Sequence, residues 1–98
     1  MRFITDYKEL EGNPNISLMD HISETAIPEK GAVLEYLKNG QDDGVRCTTI
    51  FDYVKNEGTG ETVFLYTDGD FYWTGEEIYL FEHYNLELNP EFIQKVIT

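Results

Sequence analysis

Residues 62–84 constrain the fold of this chain more tightly than any other stretch. Thr62-Val63-Phe64-Leu65-Tyr66-Thr67 is rich in β-branched and aromatic residues and reads as a strand. Asp68-Gly69 follows, the favoured pair for a two-residue type I′ turn. Asp70-Phe71-Tyr72-Trp73 then reads as the returning strand. Thr74-Gly75-Glu76-Glu77 is a T-x-x-E capping box, with Trp73 and Ile78 spaced to pack as a hydrophobic staple. Ile78, Phe81 and Tyr84 continue along one helical face with Leu80 beside them, and Asn85 is the expected stop. An antiparallel hairpin that runs directly into a capped helix predicts an α+β domain.

The flanking segments extend this pattern. Upstream, Val45, Cys47, Thr49, Phe51 and Tyr53 alternate with Arg46, Thr48, Ile50, Asp52 and Val54, which predicts a strand over 45–54 and a turn at 56–60. A helix is expected to begin with Pro28 at its first position. Ala32, Val33, Tyr36 and Leu37 form its apolar stripe, Gly40 is its C′ residue, and Gln41–Gly44 is a loop. Downstream, Asn89-Pro90-Glu91 opens a third helix with Asn89 as N-cap, and Phe92, Ile93, Val96 and Ile97 form its apolar face. Residues 1–24 are less patterned. Phe3, Ile4 and Tyr7 suit a short strand or packing arm, Gly12-Asn13-Pro14-Asn15 a turn, and Ile16, Leu18, Met19 and Ile22 a short helix. The expectation is a single domain over residues 1–98: an antiparallel meander of three or four strands, one helix before it and two after it. A chain of 11.4 kDa should fold to about 5,800 Å² of surface from roughly 16,500 Å² unfolded, enough burial for one core.

The charge narrows the classes of partner. Nineteen acidic residues against seven basic ones leave -12, which repels phosphate backbones and anionic membrane surfaces. Nucleic acid and membranes are therefore not expected partners, and a protein with a basic surface is. The imbalance is uneven. Between Lys55 and Lys95 lie nine carboxylates and no Lys or Arg, interleaved with Tyr66, Tyr72, Tyr79 and Tyr84. Aromatics and carboxylates together suit a binding face for a basic protein. The competing reading is that the aromatics are core and the carboxylates solvated, and Phe71, Trp73 and Phe81 are assigned to the core on that ground. Tyr72 points opposite to Phe71 and Trp73 and is the best candidate for an exposed aromatic. Asp68, Asp70, Tyr72, Glu76, Tyr79 and Glu82 are the candidate partner-binding residues.

No catalytic, cofactor-binding or metal-binding set stands out. His21 and His83 are far apart, and Cys47 reads as a small buried hydrophobe. Gly58-Thr59-Gly60 lacks the lysine and the following helix of a phosphate loop. Asp68 and Asp70 suggest a calcium loop, but the positions of the later ligands are Tyr72 and Tyr79. The lone cysteine suits a reducing compartment. The first residues lack a basic n-region followed by an apolar run, and the expected location is cytoplasmic.

Tyr66-Thr67-Asp68-Gly69-Asp70-Phe71-Tyr72-Trp73, Tyr79 and His83-Tyr84-Asn85-Leu86-Glu87-Leu88-Asn89-Pro90-Glu91-Phe92-Ile93, with Tyr36-Leu37-Lys38-Asn39-Gly40 upstream, form a recurrent pattern. It resembles small acidic bacterial proteins that read T-D-G-x-[WY]-x-W-P, then an acidic helix with paired tyrosines, then Y-x-[IV]-x-L-P-x-E-F, with an earlier Y-L-x-x-G. Many of those look like immunity proteins encoded beside polymorphic or contact-dependent toxins. The resemblance spans residues 33–97. Thr74 stands where the pattern has proline, and Asn89-Pro90 where it has leucine-proline. The resemblance implies an α+β domain and an inhibitory binding role, and transfers no catalytic residue.

The leading expectation is thus an immunity protein that binds a cognate toxin through an acidic, aromatic-rich face. One alternative is a nucleic-acid-mimicking inhibitor of a basic DNA-binding protein, which requires carboxylates at phosphate-like spacing on an elongated surface. The other is a small enzyme or ligand-binding domain, which requires a concave pocket with a perturbed titratable group, near Cys47 or His83.

Overall fold

The computed structural model describes residues 2–98. In chain order the elements are strand β1 (Arg2–Phe3), helix α1 (Lys30–Lys38), strands β2 (Gln41–Asp52), β3 (Glu57–Thr67) and β4 (Phe71–Thr74), and helices α2 (Gly75–Tyr84) and α3 (Pro90–Ile97). The architecture is α+β, with one helix before the β2–β4 meander and two after it. The sheet is mixed. Its order is β1-β4-β3-β2, and β1 joins parallel to β4 through Arg2↔Phe71 and Phe3↔Tyr72. The total surface is 5833 Å², matching the value expected from mass alone.

The junction of β4 and α2 forms as the sequence dictates. The Thr74 N–H donates to Glu77 Oε1 at 3.0 Å, half of a reciprocal capping box. Asn85 ends α2 in the left-handed conformation, with φ 54°. Asn89 caps α3, accepting the Glu91 N–H at 2.9 Å.

Other boundaries move, each for a local reason. The helix expected from Pro28 begins at Lys30, because Pro28 and Glu29 form a turn closed by the Lys30 N–H on the Ile27 carbonyl. Gly40 is not left-handed. It is required because an added Cβ would lie 2.5 Å from Trp73 Cζ2. The segment 41–44, expected as a loop, extends β2. At its other end β2 stops at Asp52, where the carboxylate takes the Val54 and Lys55 N–H groups and Asn56 turns left-handed. The connection is therefore residues 53–56, not 56–60. In the β3–β4 turn only Gly69 has positive φ, at 99°. Thr67 pairs with Tyr72, so the two central residues are Gly69-Asp70. With a positive φ at only one of them, this is not the type I′ turn expected at Asp68-Gly69, and the Phe71 N–H is taken by the Asp68 side chain instead.

The N-terminal segment is part of the packing. Ile4 is fully buried in a cluster with Val33, Leu37, Phe71, Trp73, Phe81, Leu88 and Phe92. Tyr7 and Leu18 form a second cluster with Leu80 and Leu86 of α2 and the segment after it. Leu18–Asp20 is a short 3-10 turn, not the longer helix expected over 16–22.

Cys47 is exposed rather than buried. The reason is position in the sheet. β2 is an edge strand, and register shifts between Val45 and Thr49 break the simple alternation of faces. Residues 41–45 and 47–49 are all exposed.

Candidate functional site

Trp73 and Tyr66 are paired across β4 and β3, and Phe64 lies two residues from Tyr66 on the same face. Val45 is the partner of Phe64 on β2. Trp73 is covered completely by the helices, whereas Phe64 and Val45 are 44% and 57% exposed. Phe64 and Val45 lie at a margin of the helical layer, although α2 again reaches the far end of β2, where Glu76 accepts the Phe51 N–H and Tyr79 donates to Asp52. A concave surface of about 500 Å³ forms at that margin. Its floor is Phe64, Tyr66 and Ile50, and its wall is Ile78, Tyr79 and Glu82 of α2. Gly75 at the start of α2 also lines it, close to Ile50 of β2.

The six residues expected to bind a partner fall into separate places. Tyr79 and Glu82 line the groove, and Glu76 lies on the same helix with its Oε2 accepting the Phe51 N–H at 3.0 Å. Asp68 and Asp70 sit at the β3–β4 turn, where Lys95 Nζ reaches both carboxylates at 2.8 Å. Asp68 also accepts from Tyr36 Oη at 2.6 Å and from the Asp70 and Phe71 N–H groups. Burial opposes its ionisation, but the bonds from Lys95, Tyr36 and those amides outweigh it and hold the carboxyl well below the usual range. Tyr72 is on the sheet face opposite the helices, as expected, but it is half-buried under Phe3, with ring centroids 3.7 Å apart.

Two further carboxylates, Asp52 and Glu77, are buried more deeply still. Asp52 accepts from Tyr79 Oη and Tyr84 Oη, both at 2.6 Å. Burial pushes its pKa up, yet the two phenols and the Lys55 and Val54 amides bring it down to about 2. The same contact raises both phenols to about 12. Glu77 is reached by Thr5 Oγ1 at 2.7 Å from the N-terminal segment. Here burial dominates, and the pKa rises to about 7.

The acidic stretch 56–94 does not become one uniform face. Arg2 pairs with Glu91, Lys38 with Glu82, and Lys95 with Asp68 and Asp70, so cations from outside the stretch fold back onto it. His21 Nδ1 stands 3.5 Å from Glu87. Glu57 and Glu61 of β3 remain exposed and make no salt bridge among the described residues. Ion pairing thus leaves Glu61, beside the groove, less compensated than the β3–β4 turn, while Lys55 in the 53–56 connection is exposed near Glu57 in sequence.

The sequence places Phe64, Ile50 and Val45 on strands and Ile78 as a staple and core position of α2, and marks none of them as a binding residue. A signal was present: Phe64 is in phase with Trp73 through Tyr66. Cys47 is on the exposed edge strand, and the His83 ring lies 4.3 Å from Tyr79 on α2. Among the described residues no group of three or more His, Cys, Asp or Glu is placed to hold a metal ion, and no helix is long and apolar enough to cross a membrane.

Comparison with protein-family models, with curated proteins and with solved structures gives no match for this chain.

Proposed function

We propose that this protein is a cytoplasmic bacterial immunity protein that binds a basic toxin domain and neutralises it. The observation that carries the reading is the disposition of the cations. Of the seven Lys and Arg side chains, Arg2, Lys38, Arg46 and Lys95 are ion-paired within the fold, Lys30 Nζ is held by the Glu82 carbonyl and Asn85, and only Lys8 and Lys55 are exposed without a salt bridge among the described residues, against nineteen carboxylates. The outward field is therefore dominated by carboxylates, which steer a basic partner and discriminate against acidic ones. The resemblance of residues 36–40 and 66–93 to small acidic immunity proteins supports the same role. The duplex-mimic alternative is less favoured by the envelope of 35 × 30 × 24 Å, which is not elongated.

The test is to mix the protein with the toxin domain encoded beside its gene and to co-express the two. The expected result is a complex at physiological salt that weakens as salt is raised, together with protection of toxin-expressing cells. Absence of both complex and protection overturns the reading.

A further inference from the structure

We propose that the groove between α2 and the outer end of β2–β3 is where the partner docks, and that its occupant is a basic amphipathic segment. An apolar side chain of that segment enters between Phe64, Ile50 and Ile78, and a flanking Lys or Arg side chain meets Glu61. This rests on the reading above that the partner is a basic protein, and names the surface and the kind of segment.

Three observations converge on this place. First, Phe64 and Val45 are adjacent across two strands and are 44% and 57% exposed on the face that elsewhere carries the core. Exposed apolar pairs at a concave margin mark contact sites more often than isolated surface hydrophobes do. Second, the concavity of about 500 Å³ is open to solvent, which suits a side chain presented by a protein segment better than an enclosed small molecule. Third, the rim is acidic. Glu61 makes no salt bridge among the described residues, and the cation that lines the groove, Lys38, is held by Glu82 at 3.0 Å. Asp42 adds a further carboxylate on β2, opposite Tyr66.

The same charge argues against a second copy of this chain as the occupant, because two surfaces at -12 each would bring acidic rims together. The irregular register of β2 between Val45 and Thr49 also works against simple strand addition at the free edge. Side-chain anchoring in the groove, rather than extension of the sheet, then carries the contact. Asp68 and Asp70 are poorer docking groups, because their charge is already met by Lys95.

The test titrates the ¹⁵N-labelled full chain with a synthetic decapeptide of alternating Lys and Leu, with an all-Lys decapeptide as control. Amide shifts are expected to cluster at Lys38, Thr62, Phe64 and Glu82 rather than at the Asp68–Asp70 turn. The all-Lys peptide should bind at least about tenfold more weakly, and Phe64→Ser should weaken the Lys-Leu peptide by a similar factor. Glu61→Lys, an exposed groove-lining position, serves as the second variant should Phe64→Ser disturb the spectrum, and should likewise weaken the Lys-Leu peptide. Equal affinity for the two peptides, shifts spread over the whole acidic surface, or a groove variant without effect overturns the proposal. Toxin binding mapped to the Asp68–Asp70 turn would remove the groove and leave the inhibitory reading standing. Peptide binding in the groove without toxin binding would do the reverse.

Discussion

Lys95 Nζ of α3 lies 2.8 Å from Asp68 Oδ2 at the β3–β4 turn. Asp68 also accepts from Tyr36 Oη of α1, so one carboxylate ties two helices to the hairpin. Its side chain is only 8% exposed, whereas that of Asp70, paired with the same lysine, is 74% exposed. Two acidic residues flanking one glycine therefore have different roles: Asp68 is structural, and Asp70 is a solvent-screened pair.

Asp68→Asn should cost about 2–3 kcal/mol, because a buried carboxylate with four donors is replaced by an amide that cannot accept from all of them. Asp70→Asn should cost no more than about 0.5 kcal/mol. Urea unfolding of the two variants measures the contrast, and equal effects would contradict it.

Asp52 sets up a second contrast. Tyr79→Phe and Tyr84→Phe each remove one charge-assisted bond of 2.6 Å and should each cost about 1–2 kcal/mol. Both phenols reach the same carboxylate oxygen, so the double variant should depart from additivity. A double-mutant cycle in urea reads the coupling.

Glu77 makes stability fall as pH rises toward neutrality. Its pKa is about 7 in the fold, above the ordinary 4.5. Between those values the folded chain holds a proton that the unfolded chain has released, so unfolding becomes easier with rising pH. Across that window the loss is about 2–3 kcal/mol for this one group. Asp52 acts oppositely. With a pKa lowered to about 2 from 3.8, its contribution is complete above 3.8 and is lost as pH falls through 2. In Glu77→Gln the amide can still accept from the Thr74 N–H and donate to Thr5, and the decline between pH 4.5 and 7 should flatten. Urea midpoints measured through that range would show an unchanged slope if Glu77 were not the cause.

The glycines of the α1 region separate close approach from helix propensity. Gly40→Ala should cost about 1–3 kcal/mol, because its Cβ would meet the Trp73 ring at 2.5 Å. Gly31 lies exposed within α1 with nothing within 4 Å of an added Cβ, so Gly31→Ala should stabilise by about 0.5–1 kcal/mol. Thermal unfolding should move the two variants in opposite directions.

Cys47 should react with a thiol reagent in the folded protein without prior unfolding, because it is exposed on the edge strand. Cys47→Ser should change stability by less than about 0.5 kcal/mol. Protection of the thiol until the denaturant midpoint would contradict its exposed position.

The amino-acid sequence by itself determined the elements whose signals are local. The capping box at Thr74–Glu77, the stop at Asn85 and the Asn89-Pro90 start depend on hydrogen bonds and backbone restrictions within a few residues, and they form where the spacing predicts. The net charge and the core role of Phe71, Trp73 and Phe81 were equally legible. Only the tertiary structure decided what non-local contacts control. It brought Arg2–Phe3 beside β4, buried Ile4 and Leu18, and sent Thr5 to Glu77, so that a capping carboxylate predicted from four residues became a buried group. Lys38 and Lys95, remote in sequence from most of the acidic stretch, cancelled part of its charge in space. The exposure of Phe64 follows from where the helical layer ends over the sheet. Periodicity assigns a side chain to a face, but packing between distant segments determines whether that face is covered.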